Sequence, residues 1–293
     1  MRIPLPVFYV AEAQDGRIAV VDGLQRFTTF SRFLADEFAL SFVPVEDQPA
    51  HPLDGKKFSK LPLQLQERIE DTQLTLYILD SKAPERAKLD IFDRVNGGVP
   101  LTRQQMRNCL FNGDATIWLR EAANSPEFLA ASGKSLQSKS MRDREAINRF
   151  CAFFLLGEQK YTSGDMDAFL AHALSDMNSG NVDLKSLHNK FIHSMNANKH
   201  LFENHAFRKS LASLSNWSAR SVLNIALFDV CSVVFADIET KMIKDNADAI
   251  RQGFKTLIEN GEFNHSISYS TNSTRQVKTR FRMVRDLIDR TLS

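Results

Sequence analysis

The chain has 293 residues, 43% of them hydrophobic and 25% charged, a composition that indicates an ordinary soluble globular protein and excludes a disordered or fibrous one. Its net charge of +2 excludes a molecule-wide field that would attract nucleic acid or a membrane surface. The three cysteines are too far apart for a Cys-x-x-Cys metal site, and with no secretory signal they indicate a cytoplasmic protein.

Strand-forming segments occur only in the first part of the chain. Residues 6–11 and 17–21 are rich in β-branched and aromatic side chains, and they flank the turn sequence Gln14-Asp15-Gly16. This pattern predicts a β-hairpin. The apolar run at 74–79 predicts a further strand, buried in the core.

The next predicted element is a helix from Leu24 to Ala35. Phe27, Phe30 and Leu34 recur at helical spacing, so they are predicted to share one face of this helix. The chain contains 22 phenylalanines, which indicates a core filled largely by Phe.

From Pro84 onward the pattern is helical. Thr102-Arg103-Gln104-Gln105 has the form of a capping box, which opens a helix. The apolar segment Ser221–Ala236 indicates a buried helix. Helices are predicted over 85–95, 102–112, 114–123, 141–157, 164–176, 183–202, 218–236, 244–259 and 273–291. The fold class is therefore α+β, with a β-containing head at 1–83 and a helical body at 84–293 that is expected to pack on it.

The junction of the second strand and the first helix carries the most informative group of side chains. A β-branched run ends in Asp22-Gly23, and the helix then opens with Gln25 and Arg26. A strand that enters a helix through glycine brings backbone N–H groups and the positive end of the helix dipole to one point, which suits phosphate. Asp22 offers a carboxylate for a cation or water, and Arg26 offers a fork that fits phosphate. A plain turn with a capping aspartate explains the same residues and stays open.

Polar residues in two other segments also need an explanation. Arg280 falls on the apolar face of the last predicted helix, beside Val277 and Phe281. A guanidinium there needs a carboxylate, carbonyl or phosphate partner, so a structural ion pair and a site arginine are both open. Arg94 and Asn96 precede two glycines that end a helix, and a role in a site would account for them.

A basic stretch begins at Gly133-Lys134-Ser135. These three residues look like the end of a P-loop, but Phe128 stands where that motif requires glycine, so a P-loop is excluded. The stretch either contacts phosphates or forms an exposed loop. Its basic residues are Lys134, Lys139, Arg142 and Arg144.

Taken in order, these segments are similar to those of a known family. Asp22-Gly23-Leu24-Gln25-Arg26 stands where the family has Asp-Gly-Gln-Gln-Arg, and Ile3–Tyr9 looks like its proline-flanked strand. Further similar blocks lie at 92–101, 105–108, 142–150 and 270–280. Over nearly its whole length the chain resembles the ParB/sulfiredoxin-like N-terminal domain family of GmrS/GmrD-type modification-dependent restriction endonucleases.

The resemblance implies a nucleotide-binding or nucleotide-hydrolysing regulatory domain of prokaryotic restriction or anti-phage defence. It implies Mg²⁺ and a nucleoside triphosphate as cofactors. In catalysis Asp22 would position Mg²⁺ or water, Gln25 would orient water, and Arg26 would offset phosphate charge. The nucleotide-binding residues that the resemblance implies are Gly23, Arg94, Asn96, Arg107 and Arg280.

The partners implied are the nucleoside triphosphate and DNA, contacted directly or through a nuclease subunit. No membrane partner is expected, and the sequence does not reveal the oligomeric state. No Asp-His-Ile-x-Pro segment follows, so we expect that this chain has no HNH nuclease of its own.

Two departures from the family keep other functions open. Leu24 replaces the first glutamine of the signature, which removes a polar group from the expected site. Family members also carry an N-terminal segment with Gln-Arg and Trp, so the chain is expected to be truncated at its start. The alternatives are a DNA-binding or nuclease-like ParB-related module and an inactive remnant or partner-binding scaffold.

Overall fold

The computed structural model of the chain describes residues 5–12, 18–43, 49, 51–80, 83, 87, 90, 91, 94, 101–213 and 219–293. The chain divides into two compact units, Met1–Pro100 and Leu101–Ser293. The first contains a three-stranded sheet and the second is helical, which confirms the α+β class. The domain boundary expected at 83–84 stays a prediction, since most of residues 84–100 lie outside the described parts.

The sheet of the first unit is built on the predicted hairpin. Strand β1 (Phe8–Glu12) pairs antiparallel with β2 (Ile18–Asp22) and parallel with β3 (Leu76–Leu79), so the strand order is β2-β1-β3. The hairpin prediction is therefore confirmed in its two strands, while its turn at 14–16 lies outside the described residues.

The prediction that the 74–79 run is a buried strand is wrong in its burial. In β3, Leu76, Tyr77 and Ile78 are about half exposed, and only Leu79 is buried. The strand lies at the edge of the described sheet and pairs with β1 alone. A short apolar run does not by itself distinguish a central strand from an edge strand.

Helix α1 (Leu24–Leu34) forms where it was predicted, and Phe27 of the predicted face packs against Phe8 with ring centroids 4.2 Å apart. The buried residue of the helix is Phe33, whereas Leu34 is 44% exposed. The ring of Phe33 packs against Phe38 and Phe58, with centroid distances of 5.3 and 6.0 Å. Each residue turns a helix by about 100°, so this tertiary contact selects a face that spacing alone misses.

Helices make up most of the described residues, and none of them combines the length and apolar character needed to cross a membrane. Helix α2 (Leu63–Glu70) also belongs to the first unit, where the described residues 87, 90, 91 and 94 are helical as well. Those of the second unit are α3 (Arg103–Leu110), α4 (Asp114–Ala123), α5 (Pro126–Ser132), α6 (Arg142–Leu156), α7 (Met166–Asn178), α8 (Leu184–Phe202), α9 (Ile225–Val234), α10 (Thr240–Asp245), α11 (Ala247–Glu259), α12 (Gly261–Ser266) and α13 (Thr274–Leu292).

Most of these helices lie where the sequence predicts them. Thr102 and Gln105 form the expected capping box at the start of α3. The segment predicted over 244–259 is instead two helices, α10 and α11, which meet at Asn246. Helices α2, α5 and α12 were not predicted, because each is short and carries few periodic apolar positions.

The core of the second unit is centred on α6, which contacts α4, α7 and α9. Phe150 and Phe153 of α6 are buried and pack against other aromatic rings, so the prediction of a Phe-rich core is confirmed. The helix predicted over 218–236 begins only at Ile225, and Val222 before it is 89% exposed. Every residue of α9 from 226 to 234 is buried, so this part of the predicted buried helix is confirmed. One of these residues is an aspartate, and it requires partners.

Candidate functional site

The candidate site of the first unit begins at an irregularity in the hairpin. Tyr9 pairs with Asp22 and Val10 pairs with Val20, so Val21 is an extra residue on β2. Such a bulge bends its strand and redirects the residue that follows. Here it sets the direction of Asp22, the last residue of the strand.

Gly23 makes the turn from β2 into α1. Its φ of 98° and ψ of 6° are in the left-handed region, which glycine adopts without steric cost. A Cβ at this position would lie 2.3 Å from Cδ1 of Phe8, a side chain that is fully buried. Both the backbone angle and the close ring therefore require glycine here.

Arg26 ties the first turn of α1 to the start of β1. Its Nη2 donates to Oδ2 of Asp22 at 2.6 Å, and its Nη1 donates to the carbonyls of Pro6 and Val7 at 2.8 and 3.3 Å. The guanidinium also lies over the ring of Phe8, 4.5 Å from its centroid. These contacts hold Asp22 beside the helix N-terminus, with each of the two charged side chains a little over a quarter exposed.

The N-terminus of α1 keeps its backbone donors available. Glycine has no side chain with which to cap the helix, and the first intrahelical bond runs from the Phe27 N–H to the Gly23 carbonyl at 2.9 Å. The N–H groups of residues 24–26 precede that bond and have no acceptor within the helix. They lie at the positive end of the helix dipole, so the turn is suited to an anion.

The side chains around these donors are accessible. Leu24 is 62% exposed, and Gln25 is exposed as well. Arg94 is an exposed helical residue, and Asn96 lies outside the described residues. The structure therefore brings together Asp22, Gly23 and Arg26, and leaves Gln25 free to reach a ligand.

A metal would have one protein carboxylate at this turn. Among the described residues, no group of three or more His, Cys, Asp or Glu side chains could hold a metal ion. Mg²⁺ that accompanies a nucleotide needs only one or two carboxylates, because phosphate oxygens and water complete its shell. Asp22 fits that requirement as a single ligand.

Comparison with known families gives a match for this part of the chain. Residues 1–112 match the family model of the N-terminal domain of GmrSD restriction endonuclease. Because of this similarity, we refer to residues 1–112 as the GmrSD-type domain. No curated protein and no solved structure matches the chain.

The match includes the Asp22–Arg26 turn, so the expected family is confirmed on the residues that suggested it. It also includes α3 with Arg107, and it ends before the similar blocks noted at 142–150 and 270–280. The similarity to the restriction endonuclease family therefore covers residues 1–112. The role of the remaining helices is a separate question.

Arg280, expected beside the nucleotide, is bonded inside the helical unit. It is fully buried, and its Nη2 donates to Oδ2 of Asp229 at 2.7 Å while its Nη1 donates to the Thr271 carbonyl at 2.6 Å. Arg149 donates to both oxygens of the same aspartate, at 2.7 and 2.6 Å. Although burial opposes it, the charge of Asp229 raises the pKa of Arg149, so that guanidinium stays protonated.

Arg107 of the GmrSD-type domain is also fully buried. Its guanidinium donates to Asp167 and Gln104, and Glu145 lies 3.8 Å away. Burial lowers the pKa of Arg107, and the two carboxylates oppose that shift. The described bonds of Arg107 and Arg280 all lie within the helical unit, and the function proposed below uses neither residue.

Sequence reasoning missed the partners that organise both groups. Phe8 is the surface against which Gly23 and Arg26 pack, and nothing in its local sequence indicates this. The need of Arg280 for a carboxylate was apparent, and Asp229 in the most apolar segment of the chain was the signal that could have identified its partner.

Proposed function

We propose that this chain is a nucleotide-binding regulatory component of a restriction or anti-phage defence system. Phosphate binds at the N-terminus of α1, where the helix starts on a left-handed glycine beside Asp22. That uncapped start is the observation that carries the proposal. The match of residues 1–112 to the GmrSD family model supports the role in restriction or defence.

In this proposal the N–H groups of residues 24–26 donate to phosphate oxygens. Asp22 binds Mg²⁺ together with the nucleotide, and the metal supplies positive charge that offsets the phosphates. Gln25 is exposed at the same turn and orients water or the ligand. Arg26 acts as a positioning residue, since its guanidinium is bonded to Asp22 and to the carbonyls of Pro6 and Val7, just before β1.

Cleavage of DNA is assigned to a separate nuclease domain or subunit. The described part of the chain offers the GmrSD-type turn and a helical unit, and the sequence has no HNH segment. Nucleotide hydrolysis by this chain is expected to be slow, because Leu24 places an apolar side chain where the family signature has glutamine.

Isothermal titration calorimetry with GTP, ATP, CTP and UTP in the presence of Mg²⁺ tests the proposal. We expect one nucleotide to bind, and Asp22→Asn to weaken that binding at least tenfold while keeping an acceptor for Arg26. Asp71→Asn, an exposed aspartate of the same unit, is the matched control and leaves binding unchanged. If no nucleotide binds, or if both variants bind as the wild type does, the proposal is wrong.

A further inference from the structure

Arg208 is a buried arginine without a carboxylate partner among the described residues. It is 1% exposed, and it donates to the carbonyls of Ala206 and Ser132, both at 2.7 Å, and to Oγ of Ser135 at 2.6 Å. Its Nε has no hydrogen-bond partner within the described parts of the chain. Every acceptor is neutral, so the charge of Arg208 is not neutralised as it is for the arginines around Asp229.

A second arginine lies directly beside it. Gly133 ends α5 with a φ of 63°, and a Cβ there would lie 2.5 Å from Nη1 of Arg220 and 3.6 Å from Nη2 of Arg208. Two guanidinium groups therefore meet over a glycine. Burial and the charge of Arg220 lower the pKa of Arg208 to about 10, so Arg208 is still positive at neutral pH.

A purely structural role explains only one of the two arginines. Ser132 supplies one of the last carbonyls of α5, where the helix dipole is negative, so Arg208 is partly stabilised as a helix cap. Arg220 is exposed, and within the described parts of the chain its side chain has no ion-pair partner. Like charges close to one another repel, and an anion between or beside them offsets that repulsion.

The segment that follows Gly133 adds charge of the same sign. Lys134 is exposed and has a φ of 54°, and Lys139 and Arg142 are exposed further along. These are residues of the basic stretch that the nucleotide site on α1 does not use. Exposed basic side chains along one segment of the chain suit phosphate oxygens.

We propose that Arg220 and Lys134, above the buried charge of Arg208, bind a phosphate group. The phosphate comes from a polynucleotide backbone or from a small phosphorylated molecule. Arg220 and Lys134 donate to the oxygens from the solvent side, while Arg208 supplies a fixed positive charge beneath them. This site is in the helical unit and is independent of the nucleotide site at Asp22.

The test uses the full chain with two probes, a random-sequence DNA duplex and inorganic pyrophosphate. Anisotropy of the labelled duplex over a salt series gives its affinity and salt slope, and calorimetry gives pyrophosphate binding. We expect Arg220→Ala to weaken binding roughly tenfold and to reduce the duplex salt slope by about 0.9, the change for one lost phosphate contact. Arg220→Lys keeps the charge and is expected to keep the slope.

Arg120→Ala removes an exposed arginine from α4 and is the matched control, with no expected change. Thermal unfolding checks that each variant is folded, which is expected because Arg220 is exposed. Duplex binding that depends on Arg220 supports a polynucleotide ligand, and pyrophosphate binding alone that depends on it supports a small one. If neither probe binds, or if Arg220→Ala and Arg120→Ala behave alike, the proposed site is overturned.

Asp22→Asn separates this site from the proposed nucleotide site. It is expected to weaken nucleotide binding and to leave duplex and pyrophosphate binding at Arg220 intact. Loss of duplex or pyrophosphate binding in Asp22→Asn, with Arg220→Ala unchanged, would assign that binding to the α1 turn and contradict the second site.

Discussion

The two units of this chain use the same pair of residue types, aspartate and arginine, in different ways. In the helical unit, Asp229 is fully buried and shared by two buried arginines, which leaves no atom of its carboxylate for a ligand. In the GmrSD-type domain, Asp22 and Arg26 form a single pair that stays partly exposed beside open backbone donors. The fully buried group around Asp229 therefore stabilises the fold, whereas the partly exposed pair of Asp22 and Arg26 can contact a ligand.

The strongest test of this comparison is Asp229→Ala. Removing the carboxylate leaves Arg149 and Arg280 as unpaired buried charges, so we expect a loss of about 3–5 kcal/mol in the free energy of unfolding. Urea denaturation followed by circular dichroism measures it. Asp248→Ala is the control, because that aspartate is 99% exposed in its pair with Arg251 and should cost at most about 0.5 kcal/mol. If the two variants lose the same free energy of unfolding, buried and exposed aspartate–arginine pairs do not differ in their contribution to stability.

Gly23→Ala tests the turn that carries the candidate site. We expect it to cost about 2–5 kcal/mol, since left-handed strain contributes about 1–2 kcal/mol and overpacking against Phe8 about 1–3 kcal/mol. Gly55→Ala is matched to it: Gly55 has a φ of 72°, but a Cβ there meets nothing within 4 Å. Only the strain of about 1–2 kcal/mol then remains. If thermal unfolding shows the same loss of stability for Gly23→Ala and Gly55→Ala, overpacking against the Phe8 ring does not contribute.

Arg26→Lys measures how much the fork of Arg26 contributes. A lysine cannot bond Asp22 and the carbonyls of Pro6 and Val7 together, so we expect a loss of about 1–2 kcal/mol. Arg32→Lys affects a pair with Glu37 in which both side chains are about half exposed, and should change stability by less than about 0.5 kcal/mol. Denaturant titration distinguishes the two. A negligible effect at Arg26 would show that its bonds do not hold the turn.

Leu24→Gln is expected to have the smallest effect on stability and the clearest effect on chemistry. Leu24 is 62% exposed, so the free energy of unfolding should change by no more than about 0.5 kcal/mol. A glutamine there restores the family signature, and nucleotide turnover measured by phosphate release should rise. Leu34→Gln alters an exposed leucine at the other end of α1 and should leave turnover unchanged. If the two variants turn over nucleotide at the same rate, position 24 has no role in catalysis.

The features that the sequence predicts correctly depend on neighbouring residues. The hairpin strands, the capping box at Thr102 and the start of α1 are each set by a few consecutive positions. Asp22, Gly23 and Arg26 come together for the same reason. Contacts between distant segments were not predictable in this way, and they decide that Phe33 rather than Leu34 is buried and that β3 is exposed.

The arginines show the same limit. The spacing in α13 indicates that Arg280 needs a partner, but only the packed helices select Asp229 over a phosphate. Arg208 and Arg220 gave no signal in the sequence, because they meet through the end of α5 and not through a motif. The Gly133-Lys134-Ser135 sequence looks like the end of a P-loop, but Gly133 matters because the guanidinium groups of Arg208 and Arg220 lie beside it.

The buried aspartate also sets an order for assembly during protein synthesis. Asp229 is bonded to Arg149, 80 positions earlier, and to Arg280, 51 positions later. The ribosome must therefore release residues 274–292 before this buried group can be completed. Until then the nascent helices hold an aspartate that has only one of its two cations, so the last step of folding in this unit is expected to follow translation of α13.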